Sequence, residues 1–177
     1  MSAYDPAKFG SLCTQRTVME TGQVMQTTFT RLMLKHAAER PLAPALREKE
    51  YGIWQTITWS DLAKLVQSMA CGLHQAGLQR GEHLIVVGSN RPRLYATMLA
   101  AQSLGAIPVP LYQDAAAAEC VFPITNAEVR FAVVEDQEQV DKMLEVREQC
   151  PQLTHIFYDN PVVCANTPKT VSVHWKS

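Results

Sequence analysis

The sequence predicts an α/β fold, a parallel-rich sheet with helices on both faces, and three observations carry that expectation. Leu84-Ile85-Val86-Val87 is an unbroken aliphatic run, the composition of a strand covered on both sides. A helical stretch from about Pro92 to Leu104 follows it, and Ile107-Pro108-Val109-Pro110-Leu111 then reads as a second strand. Such a unit is expected to return parallel through a right-handed crossover. From residue 84 onward the alternation continues, with strands at 129–134 and 153–158 and helices at 115–126 and about 137–149. That order places helices on both faces of one sheet.

Residues 1–26 lack periodicity and read as a flexible leader. Thr28 can cap a helix in which Phe29, Leu32, Met33 and His36 or Ala37 recur at helical spacing, ending before Pro41. Residues 45–49 and 53–59 are two short strands joined at Glu50-Tyr51-Gly52, a hairpin. In its second strand Ile53, Gln55, Ile57 and Trp59 alternate against Trp54, Thr56 and Thr58, with apolar residues mostly in the first set. Thr58-Trp59-Ser60-Asp61 then opens the most regular helix. Thr58 or Ser60 can cap it, and Asp61 suits the positive end of the helix dipole. Leu62, Leu65, Val66, Met69 and Leu73 keep the spacing to the stop at Gly77. Gly72 inside that helix costs about 1 kcal/mol relative to alanine, which close packing would justify.

In the crossover helix Pro92 sits in the first turn, where its missing N–H has no intrahelical partner to lose. Leu94, Met98 and Ala101 share a face that Ala100 and Leu104 widen, and Gly105 supplies a left-handed stop. Pro108 and Pro110 lie two apart, so one side of that strand lacks donors; it is a sheet edge, or a strand ending near Pro110. Pro123 should stop or kink the 115–126 helix, at a cost of ~3 kcal/mol. Asp136 can cap the next helix, with Val140, Met143, Leu144 and Arg147 in one stripe. Residues 162–177 are short extended fragments, and no internal repeat is visible.

Composition narrows function by exclusion. A chain of 177 residues with 16 basic and 17 acidic side chains has a formal charge of −1 and no basic block, so it lacks the electrostatic footprint of a nucleic-acid binder. No apolar run reaches the ~20 residues of a membrane span, and no signal peptide opens the chain, which leaves peripheral membrane contact open. Cys13, Cys71, Cys120, Cys150 and Cys164 are odd in number and scattered, as are the histidines. Reduced thiols in a cytoplasmic protein are the simpler reading, and no metal site is expected.

Doubly wound sheets bind ligands beyond the carboxyl ends of their strands. Here the turn after strand 84–87 is Gly88-Ser89-Asn90-Arg91-Pro92, which has neither a dinucleotide fingerprint nor a phosphate loop. It reads as a tight turn into a helix, with Ser89, Asn90 and Arg91 as candidate residues on a cleft rim. Glu135-Asp136 follows a strand as the acidic residues of receiver domains do, but the companion carboxylates and lysine are absent; Asp136 as a cap and Glu135 near a positive helix end is simpler. No nucleophile elbow occurs. Trp54 and Trp59 read as packing residues, and residues 166–170 lack the glycines of a phosphate loop. No catalytic residue is identified.

Several phrases in order resemble one family. They are residues 54–62 (Trp-Gln-Thr-Ile-Thr-Trp-Ser-Asp-Leu), Gly72-Leu73, Gly77-Leu78-Gln79-Arg80-Gly81-Glu82, and Asn90-Arg91-Pro92. Leu99-Ala100-Ala101, residues 104–112 and Ala127-Glu128-Val129-Arg130-Phe131 continue the series. Over roughly residues 27–160 the sequence resembles the amino-terminal portion of AMP-forming acyl-CoA synthetases, closest in flavour to long-chain fatty-acid CoA ligases. The resemblance implies the first subdomain of that fold, with 161–177 a divergent tail. It implies a reaction of fatty acid with ATP, magnesium and CoA, through an acyl-adenylate, to acyl-CoA, AMP and pyrophosphate. The family's phosphate-gripping loop and catalytic lysine are not found in this sequence, so the expectation is a truncated ligase, inactive alone, that binds none of these cofactors tightly. The alternative is a non-catalytic flavodoxin-like interaction or regulatory module.

Overall fold

The computed structural model describes residues 27–158. The expected leader at 1–26, the divergent tail and the 166–170 segment lie outside the described residues. Helix α1, Phe29–Glu39, begins where Thr28 Oγ1 accepts the Arg31 N–H at 3.3 Å. Its buried residues are Thr30 and Met33, while Phe29 is 73% exposed. The expected face was therefore misplaced at its start, and Phe29 falls on the margin of the stripe. Strands β1 (Pro44–Glu50) and β2 (Ile53–Thr58) form an antiparallel hairpin. Its turn has φ 47° at Tyr51 and 83° at Gly52, the left-handed pair that matches the twist of two strands joined by two residues.

Helix α2, Trp59–Gln75, is capped by Thr58 and not Ser60: Thr58 Oγ1 accepts the Asp61 N–H at 3.2 Å and donates to Asp61 Oδ2 at 2.6 Å. Leu62, Val66, Met69 and Leu73 are buried as expected. At the other end Gly77, with φ 96°, lets its N–H reach His74 O and that of Leu78 reach Leu73 O, each at 3.0 Å. Trp59 packs as expected, its ring 4.7 Å from that of His36 with the Arg40 guanidinium 5.6 Å above it. Trp54 does not pack; it is 65% exposed.

The remaining elements are β3 (His83–Val87), α3 (Pro92–Ser103), β4 (Ile107–Leu111), α4 (Ala117–Asn126), β5 (Phe131–Val134), α5 (Gln137–Glu145) and β6 (His155–Tyr158). Strands β3 to β6 form one parallel sheet in the order β4-β3-β5-β6. Chain order and sheet order differ because β4 lies on one side of β3 and β5 on the other. Right-handed crossovers running in opposite directions must deposit their helices on opposite faces. Accordingly Leu84, Val86, Phe131, Val133 and Phe157 pack with α1, α2 and α3, while Ile85, Val87, Ala132, Val134 and Ile156 pack with α4 and α5.

Two proline expectations met different outcomes. The N–H of Ile107 donates to Glu82 O at 2.8 Å, so the two-residue period turns Val109 and Leu111 toward β3 and the donorless Pro108 and Pro110 outward. Strand β4 is an edge, as expected. Pro123, however, does not stop α4, which continues to Asn126. Only one backbone bond is lost, the Pro123 carbonyl still accepts the Ala127 N–H at 3.1 Å, and buried Cys120 and Ile124 anchor the helix on both sides of the ring. Helix α3 also differs in detail. Its fully buried residues are Ala96, Ala100 and Ala101, with Leu94, Met98 and Leu104 half-buried beside them, because small side chains let α3 lie close against α2.

Candidate functional site

The sheet's switch point lies between β3 and β5, where the chain turns from building toward β4 to building toward β6. Open α/β sheets bind ligands in the crevice outside the carboxyl ends of such strands. A cleft of about 380 Å3, its open mouth included, lies at this position. Its apolar wall is Met69, Val86, Leu94 and Val133, with Thr97, and its rim is Gly88, Ser89, Arg91, Arg93 and Glu135. Thr97 is buried, and its hydroxyl donates to the Arg93 carbonyl at 2.9 Å.

The rim is built around one carboxylate. The N–H of Glu135 donates to Val87 O at 3.0 Å, which extends the β3–β5 ladder and sets Gly88 beside Glu135. A Cβ on Gly88 would lie 2.9 Å from Glu135 Cβ, so the side chain crosses here only because Gly88 has none. Glu135 then accepts the backbone N–H of Ser89 and the Ser89 hydroxyl, at 2.8 Å on Oε1 and 2.6 Å on Oε2. Arg91 Nε lies 3.1 Å from Oε1. Asn90 is turned away: its Oδ1 accepts the Tyr95 hydroxyl, and it does not line the cleft. The structure thus brings Ser89 and Arg91 of the sequence-selected rim together and leaves Asn90 outside.

This arrangement has a chemical meaning. A backbone N–H at a turn into a helix, a hydroxyl and a guanidinium form a set of donors suited to an external anion. Here the chain's own carboxylate takes the Ser89 amide and hydroxyl and the Nε side of Arg91. The Ser89 amide, bonded to Glu135, is likewise not free as an oxyanion donor. Glu135 does stand next to the start of α5, as the sequence suggests, but its side chain turns to the residues after β3. Asp136 caps that helix, its Oδ1 accepting the Gln139 N–H at 3.1 Å. The signal that would have revealed the pairing is positional: Gly88 and Glu135 each directly follow four buried strand residues.

The family model described as AMP-binding enzyme matches residues 33–176. The chain belongs to this family. It corresponds to the amino-terminal part of an adenylate-forming ligase of the acyl-CoA synthetase group. An uncharacterised Mycobacterium tuberculosis protein, Rv1549, is 32% identical over 129 residues, which are 73% of this chain and 71% of that protein. The long-chain-fatty-acid–CoA ligase ACSBG2 of Mus musculus is 31% identical over 113 residues, 63% of this chain but 17% of the ligase. Among solved structures, acetoacetyl-CoA synthetase from Streptomyces lividans superposes with a TM-score of 0.72 at 22% identity, covering 81% of this chain and 23% of that one. Coronafacic acid ligase from Pectobacterium brasiliense gives 0.71 at 22% identity, over 81% and 27%. At these identities the structural matches establish the fold. The chain spans less than a third of the length of these solved enzymes.

Proposed function

We propose that residues 27–160 are the first α/β subdomain of an ATP-dependent fatty acid–CoA ligase, and that the chain is a truncated form, inactive alone. In that reaction the fatty acid carboxylate displaces pyrophosphate from ATP with magnesium present, and the CoA thiol then displaces AMP from the acyl-adenylate. The observation that carries the reading is the family match over residues 33–176, supported by a switch-point cleft in which Glu135 occupies the Ser89 amide and hydroxyl. In this reading the Ser89 amide and hydroxyl are occupied within the chain and not offered to a phosphate. ATP, magnesium and CoA are cofactors of the whole ligase in this reading, held elsewhere. A cytoplasmic setting is part of this reading, supported by the free thiols at Cys71, Cys120 and Cys150 among the described residues. The test is ATP–pyrophosphate exchange by the isolated chain with a long-chain fatty acid and magnesium. Exchange at background level is expected, and fatty-acid-dependent exchange would refute this reading of an inactive chain.

A further inference from the structure

The hairpin β1–β2 has two outer edges, and they differ. Along β1 run Arg47, Glu48, Lys49 and Glu50, with a register irregularity between Pro44 and Leu46; charges and irregularities of this kind block strand addition. Strand β2, Ile53–Thr58, carries no charge, and its first four residues are exposed. Ile53 and Trp54 are each 65% exposed and Tyr51 in the adjoining turn 96%. Glu50 and Ile53 close the two-residue turn, which makes them a hydrogen-bonded pair. Alternation then points the backbone groups of Ile53 and Gln55 at β1 and those of Trp54 and Thr56 outward.

We propose that the β2 edge is a homodimer interface, at which a second copy of this chain adds its own β2 antiparallel across a two-fold axis. Such an axis stands perpendicular to the sheet and preserves its faces, so only residues of equal parity can stand opposite one another. On β1 the registers centred on Arg47, Glu48 or Lys49 set like against like, and one centred on Leu46 would run through the irregularity between Pro44 and Leu46. Arg47 meets Lys49 with Glu48 opposite itself, or Glu48 meets Glu50 with Lys49 opposite itself. On β2 the register centred on Gln55 sets Ile53 opposite Ile57 of the partner subunit. It also sets Trp54 opposite Thr56 of the partner subunit, an aromatic with a β-branched residue. The next register, centred on Thr56, sets Gln55 against an isoleucine and engages Thr58, which already caps α2. Self-repulsion and the irregularity thus exclude one edge, and neutrality with matched faces selects the other.

The dimer is independent of the ligase reading, and its failure would leave the pyrophosphate result untouched. Sedimentation velocity of the full chain over a concentration series should show a monomer–dimer equilibrium. Gln55→Lys and Gln55→Glu, both on an exposed side chain, should each raise the midpoint roughly tenfold or more by setting like charges face to face. An equimolar mixture of the two should restore a heterodimer, because residue 55 faces its own copy. Thr56→Pro, which removes an outward N–H and no β1–β2 bond, should abolish association. A chain monomeric at every concentration overturns the proposal. So does a dimer indifferent to charge at residue 55, variants that the mixture does not rescue, or outward amides of Trp54 and Thr56 protected from exchange in the monomer, which would mean another segment of the chain covers the edge.

Discussion

Strands β3 and β5 are clasped at both ends by an arginine–glutamate pair, with the charges exchanged between strands. At the carboxyl ends Arg91 follows β3 and Glu135 follows β5, 3.1 Å apart; at the amino ends Glu82 precedes β3 and Arg130 precedes β5, at 2.7 Å. At the amino end, backbone bonds tie each of the two strands to its outer neighbour. Gly81 bonds to Gly105, Ile107 to Glu82, and the N–H groups of Thr154 and His155 both reach Arg130 O. Arg130 also lies 5.2 Å over Phe131, whose ring stacks on that of His155 at 4.7 Å. Burial pushes the Glu82 carboxyl up, but the Gln79 N–H and the Arg130 guanidinium outweigh it and leave it below its ordinary range. At the carboxyl end the ladder stops after one further bond, from Glu135 to Val87, and the chains part around the cleft. The arginine–glutamate pair thus bridges strand starts that are each tied by backbone to an outer neighbour at one end, and flanks a cleft at the other.

Three changes break or sharpen that contrast. The largest effect is expected from Gly88→Ala, where the new methyl meets the Glu135 stem at 2.9 Å. It should cost about 1–3 kcal/mol in chemical denaturation, whereas an alanine on an exposed stretch of the amino-end loops should cost little. Glu135→Gln comes next, at about 1–2 kcal/mol, because it removes the charge that Arg91 and Ser89 share and opposes an amide to the Ser89 N–H. Arg91 is well exposed, so its part of that loss is screened by solvent. The smallest effect belongs to the amino end and is one of pH. Burial, and then the positive charge of Arg130, hold His155 below its ordinary value of 6.5. A depressed folded-state value means that the unfolded chain takes up the proton first. The His155 contribution is complete above about pH 6.5 and is lost as pH falls through the lower folded-state value. His155→Phe should flatten that limb of the stability–pH curve, and an unchanged slope would remove His155 from the account.

Local chemistry was legible wherever a single residue sufficed. Thr28, Asp136 and Gly77 bound their helices as their types require, and the spaced Pro108 and Pro110 marked an edge because a missing donor can only face outward. Pro123 misled because the cost of one lost bond was weighed without the burial of Cys120 and Ile124 on its flanks. Phe29 and Trp54 misled for a related reason: periodicity tells which residues share a face, but not whether anything lies opposite it. At the cleft, Ser89 and Arg91 were visible as residues of a turn at a strand end. Their partner was not, since Glu135 lies 46 residues from Ser89.

By itself the sequence determined the alternation of strand and helix, the caps and stops of most elements, the parallel sheet and the family to which the chain belongs, all of which depend on near neighbours and residue type. The tertiary structure alone decided that β5 lies beside β3, that Glu135 meets the amide and hydroxyl of Ser89 and the guanidinium of Arg91 at the switch point, and that, among the described residues, the hairpin pairs with no third strand. Strand order is settled by the packing of whole layers, and hydrogen-bond donors are satisfied by whatever acceptor that order brings within 3 Å. No spacing along the chain encodes either one.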